Sequence, residues 1–217
     1  MSTLIAGCDE AGRGPVIGPL VICVAAVDAG REPELKAIGV KDSKLLSPSA
    51  RKRLSQQIKN ICAEHACAII TARQLNELMM HHSLNEIEAM KVAELLSQMK
   101  TEPKLIIVDS PDTEARRFGQ RIRKYLKKDV EIKAEHKADY KYPIVSAASI
   151  IAKVERDKEI DKIKRELGYD FGSGYPSDPR TMEFLKSNID NEEVVKYVRR
   201  RWETFARLTQ RKLVDFE

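Results

Sequence analysis

Four acidic residues of this chain lie beside apolar segments rather than on charged helix faces. Asp9 and Glu10 end the run "LIAGCDE", Asp109 ends "LIIVD", and Asp139 lies in "HKADYKYP", just before a long apolar segment. Ligands of α/β sheets bind outside strand ends, so carboxylates at these places are candidates for a functional site. Carboxylates that gather at one point repel one another and need a bound cation unless they are protonated.

The type of these side chains indicates which cation they would bind. Oxygen ligands without accompanying Cys or His favour Mg²⁺ or Mn²⁺ over zinc. Two such ions can activate a water molecule and stabilise the leaving oxygen of an in-line phosphoryl displacement. From these residues alone, a metal-dependent phosphodiesterase or phosphotransferase and a set of structural acids near strand ends both stay open.

A glycine-rich segment, "AGRGPVIGP", follows the first acidic pair directly. Gly12 and Gly14 flank Arg13, and glycines allow a positive φ and a close approach of the backbone to a ligand. The segment has neither the Gly-Lys-Ser/Thr ending of a Walker loop nor a G-x-G-x-x-G pattern. A plain turn between two strands therefore stays an alternative to a ligand-binding loop.

The composition is that of a globular, highly charged chain. Of its 217 residues, 42% are hydrophobic and 33% charged, which suits one large domain or one domain with a small appendage. The surplus of 38 Lys and Arg over 33 Asp and Glu gives +5, which alone is weak support for a polyanionic partner. Without an apolar run near the ~18 residues of a transmembrane helix, a membrane span is excluded.

The cysteines and the N-terminus predict a cytoplasmic protein. The chain opens "MSTLIAGCDE" without a signal-peptide pattern. We therefore expect reduced, buried thiols at all four cysteines, which are Cys8, Cys23, Cys62 and Cys67. Zinc binding at "CAEHAC" is disfavoured, because a closed zinc site needs four ligands and no second Cys/His pair has the required spacing.

Strand and helix patterns alternate up to about residue 170 and predict an α/β domain. The expected strands are "LIAGCD", "PLVICVAAV", "ACAIIT", "PKLIIVDSPD" and "VEIKAEHKA". Ser47 with Pro48, and Asn85 with Glu88, are expected to begin two of the helices. A long helix is expected over residues 143–167, with its first half packed on the sheet. Residues 178–217 read as three short helices, so we predict a domain over 1–177 and a helical segment over 178–217.

Five motifs in order make the chain closely resemble type 2 ribonuclease H, specifically ribonuclease HII of the archaeal type. They are "DEAGRGPVIGPLV", "KDSKLLS", "IIVDSPD", "HKADYKYPIVSAASIIAKVERD" and "GSGYPSDP", and they span residues 7–179. The basic ending "YVRRRWETFARL" is also similar to archaeal members. The resemblance implies an α/β fold, with an RNase H-like mixed sheet flanked by helices and a small C-terminal helical appendage.

The resemblance also implies an activity and a set of catalytic residues. The family cuts the RNA strand of RNA–DNA hybrids and incises DNA 5′ of single embedded ribonucleotides, leaving 5′-phosphate and 3′-hydroxyl ends. Its four catalytic carboxylates correspond to Asp9, Glu10, Asp109 and Asp139, which would hold two Mg²⁺ or Mn²⁺ ions. The implied partners are RNA–DNA hybrids and DNA with embedded ribonucleotides, with no membrane, and the expected state is a monomer.

Substrate-binding roles carry over in the same way. The backbone of Gly12, Arg13 and Gly14 would read the ribose 2′-hydroxyl, the group that distinguishes RNA from DNA at one site. Tyr175 corresponds to the tyrosine that packs on the nucleotide at the RNA–DNA junction. Residues that resemble phosphate contacts are Lys41, Ser43, Lys44, Ser146 and Lys153, although a solvated charge stays an alternative for each lysine. The structural interpretation is preferred for Asp42, Asp112 and His136.

Two further classes of protein compete with this interpretation. A non-catalytic nucleic-acid-binding protein could use the basic helices at 113–128 and 196–212, but it would gain nothing from four carboxylates beside a polyanion. Ribonuclease HIII is disfavoured because the Gly-Arg-Gly segment matches HII. An extra N-terminal domain is also not expected, since residue 1 nearly abuts the first strand.

Overall fold

The computed structural model describes residues 3–40 and 46–214, with side chains to residue 210. Lys41, Ser43 and Lys44, together with Asp42, therefore lie outside the described residues. The strands are β1 (Leu4–Ala11), β2 (Leu20–Asp28), β3 (Glu64–Ile70), β4 (Leu105–Asp109) and β5 (Glu131–Glu135). The helices are α1 (Glu32–Ala37), α2 (Pro48–Ile61), α3 (Ala72–Leu78), α4 (Leu84–Gln98), α5 (Ala115–Tyr125), α6 (Ala138–Lys141), α7 (Pro143–Leu167), α8 (Pro179–Asn188), α9 (Glu192–Val195) and α10 (Glu203–Val214).

The five strands form one mixed sheet in the order β3-β2-β1-β4-β5. Strand β1 pairs antiparallel with β2 and parallel with β4, and β4 pairs parallel with β5. Strands β1 and β4 are central, which explains why their sequences are almost continuously apolar until the acidic residues at their ends. The mixed sheet flanked by helices that the family resemblance implies is confirmed.

The chain divides into two compact units. The first comprises residues up to 11 together with 21–68 and 83–155, and the second comprises 12–20, 69–82 and 156–217. This division does not follow the predicted boundary between residues 177 and 178, which stays a prediction. Of helix α7, residues 143–155 belong to the first unit and the remainder to the second.

The first half of α7 packs on the sheet, as predicted. Its buried residues Ile144, Val145 and Ala148 share one apolar cluster with Val21 and Cys23 of β2. Gly7 of β1 permits this close approach, because a Cβ there would lie 2.5 Å from the backbone carbonyl carbon of Ile144. The contact between strand and helix backbones therefore requires glycine at position 7.

The second unit has its own apolar core, built around Phe171, Phe184 and Leu185. Helices α8, α9 and α10 confirm the three predicted C-terminal helices, but α9 is one turn long rather than extending to Trp202. The helix ends because the chain turns on either side of Val198, which forms an isolated bridge with Ile17.

Helix caps follow the sequence in one case and differ in another. The Ser47 side chain accepts a hydrogen bond from the Ala50 amide, and Pro48 is the first residue of α2, as predicted. The prediction that Asn85 caps α4 is wrong: Ser83 caps this helix by accepting from the Glu86 amide. Asn85 instead donates to the side chain of Asp112.

The expectation of four reduced thiols is wrong for two of them. Cys23 of β2 and Cys67 of β3 form a disulfide, with Cα atoms 4.2 Å apart. Their separation of 44 residues is bridged by strand pairing, which the cysteine spacing does not reveal. Cys8 and Cys62 are free thiols. No helix among the described residues is long and apolar enough to cross a membrane.

Candidate active site

Asp9 and Glu10 lie near the end of the central strand β1. Asp9 is buried, with 7% of its surface exposed, and its Oδ1 accepts a hydrogen bond from the Glu10 amide at 2.8 Å. The parallel ladder between β1 and β4 pairs Cys8 with Val108, so the next residues along each strand, Asp9 and Asp109, lie side by side. Strand pairing thus brings together carboxylates that are a hundred residues apart in the sequence.

The electrostatic surroundings of Asp9 are unfavourable to its charge. Burial raises the pKa of its carboxyl well above the usual value, and the negative charges of Glu10 and Asp109 raise it further. Hydrogen bonds from Ser149 and from the Glu10 amide lower the pKa and oppose this only in part. A cation beside these three carboxylates would relieve both the desolvation and the repulsion.

Asp139 is linked to this group through the backbone of α6. The Asp109 Oδ1 accepts a hydrogen bond from the Ala138 amide at 2.6 Å, and Asp139 is the next residue. The turn into α6 is made by Lys137, whose φ of 55° lies in the left-handed region. Asp109 therefore fixes the first turn of α6, the turn that carries Asp139.

The chemistry of these donors fits a hard divalent cation. Asp9, Glu10 and Asp109 offer carboxylate oxygens, the ligands that Mg²⁺ and Mn²⁺ prefer. Among the described side chains, those of residues 3–40 and 46–210, however, no three His, Cys, Asp or Glu residues converge closely enough to hold one ion. Joint metal binding by the four predicted carboxylates stays a prediction.

Ser149 is a contact of Asp9 that the sequence analysis missed. It lies in the buried part of α7, where its side chain bonds to Asp9 and accepts a hydrogen bond from the Lys153 Nζ at 2.7 Å. The Ser149 hydroxyl thus links the ammonium of Lys153 to the carboxylate of Asp9. The signal that could have indicated Ser149 is its position one helical turn before Lys153.

Ser146, a predicted phosphate contact, uses its hydroxyl inside the protein. The residue is buried, and its Oγ donates to the carbonyl oxygen of Asp139 and lies 3.3 Å from that of Tyr142. This geometry joins α7 to α6 at the residue that carries the fourth carboxylate. The predicted contact of Ser146 with phosphate stays a prediction.

Two residues near the motifs have structural contacts. Asp112 is buried and accepts hydrogen bonds from Asn85 Nδ2 at 2.5 Å and from Arg121 Nε at 3.0 Å. The His136 Nδ1 lies 3.4 Å from the carbonyl oxygen of Ser110. Both contacts fix the segment that follows Asp109, in agreement with the structural interpretation of these residues.

The second unit contains the glycine-rich loop, residues 12–14. Gly12 has a φ of 87°, and a Cβ there would lie 2.6 Å from the Arg156 side chain and 2.7 Å from the Pro19 carbonyl oxygen. Both the conformation and the space therefore require glycine. Gly14 is exposed, and a Cβ at this position would be 3.4 Å from the ring of Tyr175.

Tyr175 lies against this loop and rests on a buried arginine. The guanidinium carbon of Arg156 is 5.1 Å from the Tyr175 ring centroid, and its Nη2 donates to the Ser173 carbonyl oxygen at 3.0 Å. Burial lowers the pKa of Arg156. Tyr175 is 36% exposed, so its ring offers a supported aromatic surface beside Gly14.

One family of known proteins matches this chain over most of its length, in both sequence and structure. The family described as Ribonuclease HII matches residues 6–205. A ribonuclease HII from Pyrococcus horikoshii is 48% identical over 95% of this chain and 93% of its own length. The crystal structure of ribonuclease H2 from the same organism superposes with a TM-score of 0.89, covering 96% of this chain and 98% of that one.

Two further solved structures are similar. The ribonuclease HII of Archaeoglobus fulgidus, in a complex with PCNA, has a TM-score of 0.84 and 44% identity over 92% of this chain and 95% of its own. A ribonuclease HIII, Bst-RNase HIII in complex with Mn²⁺, has a TM-score of 0.79 at 23% identity, covering 96% and 70% of the two chains. The second likeness shows the shared fold alone. The breadth of the matches to ribonuclease HII shows that this chain belongs to the ribonuclease HII family and is a hydrolase of the ribonuclease H class.

Proposed function

We propose that this chain hydrolyses the RNA strand of RNA–DNA hybrids and incises duplex DNA 5′ of a single embedded ribonucleotide. The products would carry 5′-phosphate and 3′-hydroxyl ends. The observation that carries the proposal is the electrostatic coupling of Asp9, Glu10 and Asp109 at the ends of β1 and β4, in a chain of the ribonuclease HII family.

In this proposal Asp9, Glu10, Asp109 and Asp139 hold two divalent ions, Mg²⁺ or Mn²⁺. Such ions supply a water molecule activated for attack and stabilise the charge on the leaving oxygen. The unfavourable burial of Asp9 supports this assignment, because a carboxylate cluster of this kind lowers stability unless a cation offsets it.

The surrounding residues would fix the direction of the carboxylate oxygens. The Glu10 amide and Ser149 hold Asp9, and the Ala138 amide holds Asp109. Hydrogen bonds of this kind limit the rotation of a ligand side chain, as partners of metal ligands do in general. The bond of Ser146 to the Asp139 carbonyl favours a role in holding α6 over a contact with phosphate.

Substrate recognition is assigned to residues of the second unit and to basic groups. The backbone of Gly12, Arg13 and Gly14 would bind the ribose 2′-hydroxyl, and the Tyr175 ring would pack on the nucleotide at the junction. Side chains assigned to phosphate contact are Lys41, Ser43, Lys44 and Lys153. Action as a monomer is part of the same proposal and rests on the family resemblance, while the cytoplasmic location stays a prediction from the sequence.

Cleavage of three matched duplexes tests this function. One duplex contains a single ribonucleotide, the second is an RNA–DNA hybrid, and the third is DNA of the same sequence. We expect Mg²⁺ or Mn²⁺ to support cleavage of the first two, with the single incision mapping 5′ of the ribonucleotide, and EDTA to stop both reactions. Cleavage of the DNA duplex, or cleavage that persists in EDTA, would contradict the proposal.

A further inference from the structure

A fully buried arginine of the second unit contacts the backbone of the glycine-rich loop. Arg199 has no exposed surface. Its Nη2 donates to the Gly12 carbonyl oxygen at 2.7 Å, its Nη1 to that of Arg13 at 3.1 Å, and its Nε to that of Gly18 at 2.9 Å. One guanidinium therefore binds three carbonyl groups, two of which belong to residues 12–14.

The surrounding chain holds Arg199 in this orientation. Its amide donates to the Val16 carbonyl oxygen at 2.8 Å. The buried Asn76 donates to the Val198 carbonyl oxygen and accepts from the Arg200 amide, each at 2.8 Å, so it brackets residue 199 on both sides. The Trp202 ring lies 4.8 Å from the guanidinium carbon. The position of Arg199 is therefore set before any substrate binds.

Because peptide bonds are planar, the contacts of Arg199 with the loop carbonyl groups also set the direction of the loop amides. A trans peptide is planar, so the N–H of one residue points opposite to the C=O of the residue before it. Arg199 draws the carbonyl groups of Gly12 and Arg13 toward itself, which directs the amides of Arg13 and Gly14 the opposite way. Two successive amides directed to one side form a concave donor site for an oxygen atom.

We propose that Arg199 is the positioning residue that sets the amides of Arg13 and Gly14 to bind the ribose 2′-hydroxyl, an inference that rests on the proposed function. Arg199 does not touch the substrate in this account. It acts through the backbone of residues 12–14, and its planar fork is what reaches three carbonyl oxygens at once. A lysine keeps the positive charge but concentrates its donors on one compact ammonium, which does not match this geometry.

The experiment compares charge-conserving substitutions in a protein that binds without cleaving. The reference is full-length Asp109→Asn in Mg²⁺, and the variants add Arg199→Lys or, as the matched control, Arg165→Lys at an exposed site of α7. Fluorescence anisotropy measures Kd for a duplex with one ribonucleotide and for the same duplex in all-DNA form. The Kd for the all-DNA duplex divided by the Kd for the ribonucleotide duplex reports recognition of the 2′-hydroxyl and is insensitive to a general loss of stability.

We expect Arg199→Lys to reduce this ratio by about 3- to 10-fold, the effect of losing one well-placed hydrogen bond, with all-DNA affinity and the control ratio unchanged. An unchanged ratio in folded Arg199→Lys would overturn the inference alone. If the reference protein itself does not distinguish the two duplexes, the proposed function fails and the inference with it.

A second variant covers the case in which Arg199→Lys does not fold. Trp202→Leu removes the ring beside the guanidinium and leaves the three hydrogen-bond donors in place. We expect a smaller reduction of the same Kd ratio, because Arg199 loses part of its support. A ratio equal to that of the reference protein would then overturn the inference.

Discussion

At the scale of the residue, Asp9 combines a functional position with an unfavourable environment. Its carboxyl is buried beside Glu10 and Asp109, and all three effects raise its pKa. A group whose folded-state pKa lies above the unfolded value loses stability as the pH rises through that pKa, because the folded state must then carry the buried charge. At neutral pH Asp9 therefore lowers the stability of the fold.

We expect Asp9→Asn to raise the melting temperature in EDTA at neutral pH while abolishing cleavage. The substitution places a neutral amide where burial and the charges of Glu10 and Asp109 oppose an ionised carboxyl, and each kcal/mol of relieved destabilisation is worth roughly 2–4 °C in a chain of this size. Differential scanning calorimetry provides the measurement, with Asp161→Asn at an exposed site of α7 as the control. A lower melting temperature for Asp9→Asn than for the control would contradict the electrostatic description of the site.

Tyr175 is the second residue with a specific expectation. Its ring is supported by Arg156 and lies beside Gly14. We therefore expect Tyr175→Ala to impair cleavage at a lone ribonucleotide more than cleavage of a long hybrid. The ratio of the two kcat/KM values should change by about 10-fold, since base–aromatic stacking is worth ~1–3 kcal/mol. The control is Tyr169→Ala, another exposed tyrosine of the second unit. Equal losses on both substrates would argue against a junction role for Tyr175.

At the scale of the elements, helices α4 and α5 are joined by a charged network that fixes the chain after β4. Glu86 accepts hydrogen bonds from Tyr125, Arg121 and Lys124. Together these bonds lower the pKa of Glu86 to about 2, and those from Tyr125 and Arg121 have the largest effect. Arg121 also binds Asp112, three residues after Asp109. The network thus connects two helices to the segment that follows a predicted metal ligand.

Because of this network, we expect the free energy of unfolding to decrease as the pH becomes acidic. Because the folded-state pKa of Glu86 is below its ordinary 4.5, its contribution is complete at higher pH and is lost as the pH falls from about 5 toward 2. Between pH 2.5 and 6, the free energy of unfolding measured in urea should decrease less steeply with falling pH for Glu86→Gln than for the wild type. Glu94→Gln on the same helix, where the carboxylate is half exposed, should keep the wild-type slope. An identical slope for Glu86→Gln would contradict the assignment.

The disulfide between β2 and β3 gives a further prediction. Closing a loop of this length typically stabilises a protein by about 2–4 kcal/mol. We expect Cys67→Ser to lower the free energy of unfolding by that amount under oxidising conditions and to match the wild type in the presence of a reductant. Cys62→Ser, which removes a free thiol, is the control. A Cys67→Ser protein as stable as the oxidised wild type would show that the bond contributes nothing.

The elements also show which features the sequence could predict. The five strands, the bounds of α7 and the Ser47 cap followed from local patterns of apolar and capping residues, whereas the mixed sheet was implied by the family resemblance. The Cys23–Cys67 bond, the hydrogen bond from Ser149 to Asp9 and the true cap of α4 did not. The first two depend on contacts between elements far apart in the chain, and the third on a choice between two neighbouring polar residues that both favour caps.

At the scale of the whole molecule, family resemblance supplied the predicted role of Tyr175, whereas the carboxylates also followed from their places in the sequence. Strand-end position singled out Asp9, Glu10, Asp109 and Asp139, and the structure brings the first three into electrostatic contact. The three consecutive arginines at 199–201 look alike in the sequence, yet Arg199 is fully buried while the next two are exposed. The backbone hydrogen bonds between residues 197–199 and 16–18 cause this difference in burial. No periodicity in the sequence predicts these hydrogen bonds.

The most direct test of the account compares the wild type with Asp109→Asn on a duplex that contains one ribonucleotide, in saturating Mg²⁺ or Mn²⁺. Replacing one carboxylate by an amide of the same shape removes a charged ligand and preserves the hydrogen-bond acceptor for the Ala138 amide. We predict that cleavage falls by at least about 10³-fold, the scale of losing an essential electrostatic group, while the Kd for the duplex changes less than about 3-fold. An Asp109→Asn protein that cleaves at a rate near the wild type would contradict the carboxylate-based mechanism.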